Sequence, residues 1–548
     1  LGVLASIIVT SPAIGQEIYP GAGEDTPSRS EYFSWIDNTN EGTTEAQTLA
    51  NLDFFGWLKS EYGMQLDIYA FDAGAIDGPQ YYGSTESEKF KTQFPRGFSP
   101  MYERAKRYGI RLGIWGGPDG FGDTPEEEEA RTEMMVSLCR DYEFALFKFD
   151  AVAGQLRDEK QEAFKRMMDE CRQYSPDLIL LNHRLNLGPA QAHATTTLWE
   201  GAETYVDVFM TNVEPAPHHR GRAISRGLPP DLMRLTEDHG VNLSSALDYW
   251  EDDLVLQAFN RSLILAPQLY GSPWFLRDEE YPKLARIFNL HRRYRDLLVG
   301  GMILPAERYG PHAVSRGDGA TRLVTLRNLG WEPVAYPLQM GAGLGLHREG
   351  PFEVRLYHPT ERIVGRFEKG ATVDIEVPPY RSALVLVTAL PVEEVGIEGV
   401  DYRVIRDAGS GPAVLRLLGR AGTSAAVTLA ANPTRGFTEA SLDGESLSGF
   451  AAGATAWVSF PGEARTEPFH RRLAELEPME VPADAEALYE ATAYAADNNA
   501  LEVRSLVRAG RSRIPAVQAA RDAFVGQQLL VDRALWDRFM FDGDPDTF

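Results

Sequence analysis

Lys148 and Asp150, two positions apart in the run ALFKFDAV (145–152), are residue types whose spacing could do chemistry. Side chains alternate along an extended strand, so Leu146, Lys148 and Asp150 share one face and Phe147 and Phe149 the other. The aromatic face suits packing on helices, which turns a cation and a carboxylate to the opposite side. Burying two charges costs several kcal/mol unless they pair or serve a ligand. A lysine beside Asp150 keeps the carboxylate ionised at neutral pH, the state a nucleophile needs. The same two residues also admit a plainer reading, a structural ion pair.

Comparable groups recur where other apolar runs end. Trp35 and Asp37 close EYFSWID, Asp72 sits in LDIYAFDAG, and Trp115 in RLGIWGG. Asn182, His183 and Arg184 end LILLNHR, and Asp248, Tyr249 and Trp250 end VNLSSALDYW. Carboxylates that grip hydroxyls, together with aromatic rings that stack on the apolar face of a pyranose, make a sugar site. Singly each is weak evidence, since a lone Trp is often core and a lone Asp often a helix N-cap. Their recurrence at strand after strand is harder to assign to packing.

The elements that must position these groups alternate in type. Strand-like runs at 31–37, 66–74, 111–117, 145–152, 178–184, between Leu198 and Met210, 241–250 and 268–276 are separated by amphipathic stretches such as 44–63, 125–142 and 158–174. Eight such units over about 250 residues have the rhythm of a (β/α)8 TIM barrel, with a doubly wound open sheet as the rival. In a barrel the catalytic groups come from the C-terminal strand ends and the loops that follow them. After Val299 the pattern becomes antiparallel β (RLVTLRNLG, FEVRLYH, TVDIEVPPYRSALVLVTAL). The expected partition is an N-terminal segment at 1–20, a catalytic barrel at 21–299, a β-sandwich at 300–391 and a second β-rich module at 392–461. A linker with a helical stretch (ADAEALYEATAYAAD) and the start of a further module fill 462–548.

Composition narrows the partners. Lys+Arg 54 against Asp+Glu 79 leaves a net charge of −25 in 548 residues, a field that repels nucleic acid and anionic lipid. A neutral or cationic partner, here a carbohydrate, is expected. The apolar opening Leu1–Gly15 resembles the end of a secretory signal, and no later run is long enough to span a membrane. A secreted, periplasmic or cell-surface protein is expected. Cys139 and Cys171 lie on successive helices and read as free core residues. The histidines have no zinc spacing, the Gly-rich run GAGLGLHREG lies among strands, and neither GxSxG nor a P-loop occurs. Neither metal nor cofactor is expected.

The segments FDAG (71–74), GIWGGP (113–118) and FKFD (147–150), in that order and on those strands, resemble the melibiase-type α-galactosidase clan of glycoside hydrolases, as does AFNRSLILAPQLYGSPWFL (258–276). The resemblance covers roughly 30–390. It implies a (β/α)8 barrel with a C-terminal β-sandwich, Asp150 as nucleophile in a K-x-D motif, and Lys148 and Asp72 holding sugar hydroxyls. It also implies an acid/base shortly after a Trp near the sixth strand. There LWEGAETYVD (198–207) offers Trp199 and Glu203, with Glu200, Asp207 and Asp248 as alternatives. The family has an aspartate at that place, and it has a Trp where Ala75 stands here. The implied activity is an exo-acting, retaining hydrolase of α-linked terminal galactose. A same-clan hydrolase of α-glucose or N-acetylgalactosamine and a non-catalytic carbohydrate-binding protein are the alternatives.

Overall fold

Eight apolar runs lie side by side as parallel strands: β1 (Arg29–Ser34), β2 (Ile68–Phe71), β3 (Arg111–Gly116), β4 (Leu146–Asp150), β5 (Ile179–His183), β6 (Thr196–Thr197), β7 (Val241–Asn242) and β8 (Leu265–Tyr270). The computed structural model describes residues 26–35, 43–73, 75, 85–197, 234, 241–242, 250–330, 332–379, 381–407, 412–430, 436–462, 487–494, 500–507 and 512–523. The strand order is β6-β5-β4-β3-β2-β1-β8-β7, and β1 is laddered in parallel to both β2 and β8. Pairing of the first strand with the last is what closes a (β/α)8 barrel. No ladder joins β6 to β7 among the described residues, and most of the chain between them lies outside those residues.

The helices between the strands start and stop where local chemistry dictates. They are α1 (Glu45–Tyr62), α2 (Glu88–Gln93), α3 (Ser99–Tyr108), α4 (Pro125–Tyr142) and α5 (Gln161–Tyr174). At the start of α1 the Thr44 side chain accepts from the Gln47 N–H, and the helix ends on Gly63 at φ 70°. Thr124 and Glu127 form a reciprocal capping box at α4, with Pro125 in the first turn and the acidic run facing the positive end of the helix dipole.

Strand alternation divides two cores. Phe147 and Phe149 face outward into the cluster that holds Leu138, Phe164 and Met167 from the helices. Phe33, Ile68, Ala70, Leu146, Ile179 and Leu181 fill the interior. Each large side chain so buried contributes about 1.5–3 kcal/mol. Inward-facing Gly113 gives room, since a Cβ there would stand 2.9 Å from Leu146 Cβ and 3.0 Å from Ala70 Cβ.

Three expectations need correction. The eighth strand is Leu265–Tyr270 rather than 268–276, because Gly271 turns the chain at φ 72° and Pro273–Phe275 is a 3-10 turn. Trp250 does not end a strand but opens the helix Trp250–Val255. Of the expected run 241–250 the strand covers Val241–Asn242, and 243–249 lies outside the described residues, as do 198–210 and the signal-like opening. The helical stretch in 483–497 is instead the strand Ala487–Tyr494, paired antiparallel with Ala500–Val507. There the pairing partner overrides the helix propensity of Ala and Glu.

C-terminal to the barrel, a six-stranded antiparallel sheet and the pair Val334–Gln339 with Thr372–Val377 enclose a separate core that includes Val324, Leu338, Phe352 and Val385. A smaller β-module follows over 396–460 with its own core around Tyr402, Val427 and Val458. Within 462–548 lies the helix Pro515–Ala523. This helix returns to the barrel shell, where Val517 and Ala520 are buried and Arg521 donates to the carbonyls of Trp274 (2.7 Å) and Leu276 (2.9 Å).

Gly113→Val should overpack the interior between β2 and β4 and lower unfolding free energy by about 1–3 kcal/mol. Urea denaturation with an unchanged m-value checks it.

Candidate active site

At the C-terminal ends of β2 and β4, Lys148 Nζ donates to Asp72 Oδ2 at 3.1 Å, with both side chains 2% exposed. The ammonium also lies 5.0 Å from the centroid of the Phe33 ring, which in turn stacks on Tyr270. Asp72 Oδ1 accepts from the Ala73 N–H at 2.7 Å. Burial pushes the Asp72 carboxyl up, Lys148 and the Ala73 N–H bring it part of the way back, and Asp150 adds a like charge. The sequence suggested Lys148 beside Asp150. Among the described residues the lysine hydrogen-bonds Asp72 instead, and Asp150 feels the ammonium through space.

Asp150 is met by donors on both of its oxygens. Its Oδ1 accepts from the Val152 N–H at 2.9 Å and from Arg184 Nη2 at 3.1 Å, and His183 Nδ1 lies 2.9 Å away. Its Oδ2 accepts from the Trp115 indole N–H at 3.2 Å. The side chain is 8% exposed. Desolvation alone would raise its pKa, but His183, Lys148 and the Val152 N–H overcome it and hold the carboxyl well below the usual range. The stabilisation this charge contributes is therefore complete at neutral pH and is lost only as pH falls below the ordinary value of 3.8.

Arg184 reaches Asp150 from a backbone that a non-glycine residue adopts at a cost, φ 67°. Asn182 holds that turn in place. Its Oδ1 accepts from the Leu185 N–H at 2.7 Å, while its Nδ2 donates to the Leu185 carbonyl at 3.1 Å and to Gln191 Oε1 at 2.9 Å. Across the rim, Asp119 after β3 accepts from Arg157 after β4, at 2.9 Å to Nε and 3.0 Å to Nη2, tying the two loops together.

Of the residues singled out from sequence, Lys148 and Asp72 thus meet, and Trp115, His183 and Arg184 converge on Asp150. Trp35 follows β1, half-buried and edge-on to Tyr270 at 5.8 Å. Trp250 is corrected: it is 1% exposed in the outer core and donates its indole N–H to Glu280 Oε1 at 2.9 Å, so it is no sugar platform. Asp37, Trp199, Glu200, Glu203, Asp207 and Asp248 lie outside the described residues. Sequence reasoning missed Glu31 and Gln268 below the Lys148–Asp72 pair. For Glu31 the signal was present, because it alternates with Phe33 on the inward face of β1. Gln268 reaches that level through a register slip in the β1–β8 ladder that no sequence pattern marks.

No protein-family profile and no curated protein matches the sequence. Solved structures do resemble it. A Bacteroides fragilis protein assigned as an α-galactosidase shares 12% identity at a TM-score of 0.48, covering 67% of this chain and 81% of its own. α-Galactosidase I from Mortierella vinacea shares 13% at 0.46, covering 67% and 98%. A family 36 α-galactosidase from Geobacillus stearothermophilus shares 11% at 0.45, covering 68% and 56%. At such identities the likeness is one of fold.

Lys148→Met should leave Asp72 buried without its cation and cost about 3–5 kcal/mol. Adding Asp72→Asn should restore part of that loss, and a double-mutant cycle by urea denaturation measures the coupling.

Proposed function

We propose that the chain is an exo-acting glycoside hydrolase that removes an α-linked terminal sugar of the galactose type from an oligo- or polysaccharide, with retention. The observation that carries this reading is Asp150, a buried carboxylate held ionised at the C-terminal end of a barrel strand, one inward position above a Lys–Asp pair. Among the described residues, Oδ1 is occupied by the Val152 and Arg184 donors, while Oδ2 has one long contact from Trp115. Oδ2 is therefore the oxygen free to attack an anomeric carbon. Its small exposure, between Trp115 and Arg184, suits the end unit of a glycan better than the middle of a chain.

In this reading the first displacement forms a glycosyl–Asp150 ester while an acid protonates the leaving oxygen. Water activated by the same group, now a base, then releases the sugar. Glu203 is assigned as that acid/base, with Glu200, Asp207 and Asp248 as alternatives. Retention requires the two carboxyl groups about 5 Å apart. Lys148 and Asp72 bind sugar hydroxyls, Trp35 and Trp115 offer aromatic surface, and His183 and Arg184 keep Asp150 anionic until bond formation removes its charge. Asp37, Trp199 and, as an alternative role, Asp248 complete the sugar-binding set. The net charge of −25 leaves a neutral glycan unopposed. The apolar Leu1–Gly15 supports export to the periplasm, cell surface or medium.

Asp150→Asn should abolish turnover of an aryl α-galactoside by at least a factor of about 10³ while leaving the circular dichroism unchanged. Full activity in that variant overturns the assignment. NMR of the first-formed anomer from the native enzyme should show the α form. Binding of galactose with no turnover of any activated aryl α-glycoside would instead make the chain a carbohydrate-binding protein.

A further inference from the structure

Beneath the Lys148–Asp72 pair, Glu31 projects from the inward face of β1 with none of its surface exposed. The β1–β8 ladder slips register between Arg29 and Glu31 and brings Gln268 opposite it. Gln268 Nε2 donates to Glu31 Oε2 at 2.9 Å. The two remaining oxygens, Glu31 Oε1 and Gln268 Oε1, are both buried with no hydrogen-bond partner among the described residues. Two bare acceptors on side chains already hydrogen-bonded to each other are unfavourable in a barrel interior, and a proton on the Glu31 carboxyl turns one of them into a donor. A carboxylic acid and a primary amide are complementary, each donating one hydrogen bond and accepting one.

We propose that Glu31 is a neutral carboxylic acid in the folded protein, locked with the Gln268 amide in a reciprocal pair that keeps negative charge out from under Lys148. Its function is that of a positioning residue: it reserves the ammonium for Asp72, Asp150 and a bound sugar, and this part rests on the hydrolase reading above. Ionised, Glu31 would add a further carboxylate to those already facing one lysine. The charged and titratable groups toward it are Lys148 on β4 and Asp72 just after β2, with Tyr270 of β8 two ladder pairs above and Asp150 and His183 higher on β4 and β5. The described inward positions of β3, Gly113 and Trp115, carry no charge. Burial pushes the Glu31 carboxyl up to about 8, with Gln268 and Lys148 opposing and Asp72 assisting the rise.

Glu31→Gln, the isostere of the neutral acid, tests this. Infrared difference spectra of wild type minus E31Q, at mildly acidic pH, should contain a carboxylic-acid carbonyl band that titrates away with a midpoint near 8. The folded value lies above the ordinary 4.5, so the folded state holds a proton that the unfolded state has released. Wild-type stability from this group is thus fully present below 4.5 and falls as pH rises to about 8, a decline E31Q lacks. The Tm difference, E31Q minus wild type, should grow across that interval. The alkaline limb of kcat/KM on an activated aryl α-galactoside should shift upward in E31Q. Absence of the acid band, or an E31Q penalty that increases with pH, would overturn the proposal by showing a charged Glu31 paired to Lys148. If E31Q does not fold, Gln268→Met gives the same decision, since the acid band must then persist and move as its amide partner is lost. The infrared reading needs no substrate. An acid band without any turnover therefore refutes the hydrolase reading alone, and turnover without the band refutes Glu31 alone.

Discussion

One ammonium, on Lys148, organises the polar interior of this barrel. Among the described residues, the buried Lys148 ammonium is met by Asp72 at 3.1 Å and by the face of Phe33, and Asp72 gains the lysine and the Ala73 N–H in return. Either charge alone would be driven to neutralise. The pair sits one inward position below Asp150, so its residual positive field falls on the carboxylate, where His183 and Arg184 add to it. Asp150 consequently stays anionic despite its burial.

The parts of this arrangement that were legible in the sequence are those set by period. Alternation in ALFKFDAV places Phe147 and Phe149 outward and Leu146, Lys148 and Asp150 inward, and the structure has them there. The α4 boundaries follow from Thr124, Pro125 and Glu127, a capping signature that needs no tertiary information. What period cannot supply is the partner across the barrel. Lys148 has neighbours on several strands, and whether it bonds Asp72 or Asp150 depends on strand tilt and register. The eighth strand shows the same limit: a turn at Gly271 decides where it stops, and the apolar run continues past that turn into a 3-10 segment.

Trp250 failed for a related reason. A Trp after an apolar run reads equally as a platform at a strand end or as the first residue of the following helix, and only the structure distinguishes an indole facing ligand from one bonded to Glu280 in the shell. Ala487–Tyr494 failed for another, since its residues favour a helix in isolation and only the pairing with Ala500–Val507 makes a strand. Arg184 illustrates the converse case. Its left-handed backbone is a local cost sustained by the Asn182 clamp, and such strain persists where the surroundings over-determine it.

The attachment of the β-sandwich bears on how the site is held. Asp252, on the helix that follows β7, is completely buried and accepts from the Ser382 N–H at 2.6 Å, the Ser382 hydroxyl at 3.0 Å and Arg381 Nε at 2.9 Å. On another face Arg286 of the barrel helix Tyr281–Tyr294 is buried between Glu361 (2.8 Å) and Glu394 (2.5 Å). A carboxylate and a guanidinium so enclosed each require the other unit to be present, because separation would leave charges desolvated without partners. The barrel and the sandwich therefore form one folding unit rather than two tethered ones. The sandwich thereby fixes the helices on either side of β8, the strand that carries Gln268 against Glu31 and Tyr270 over Phe33.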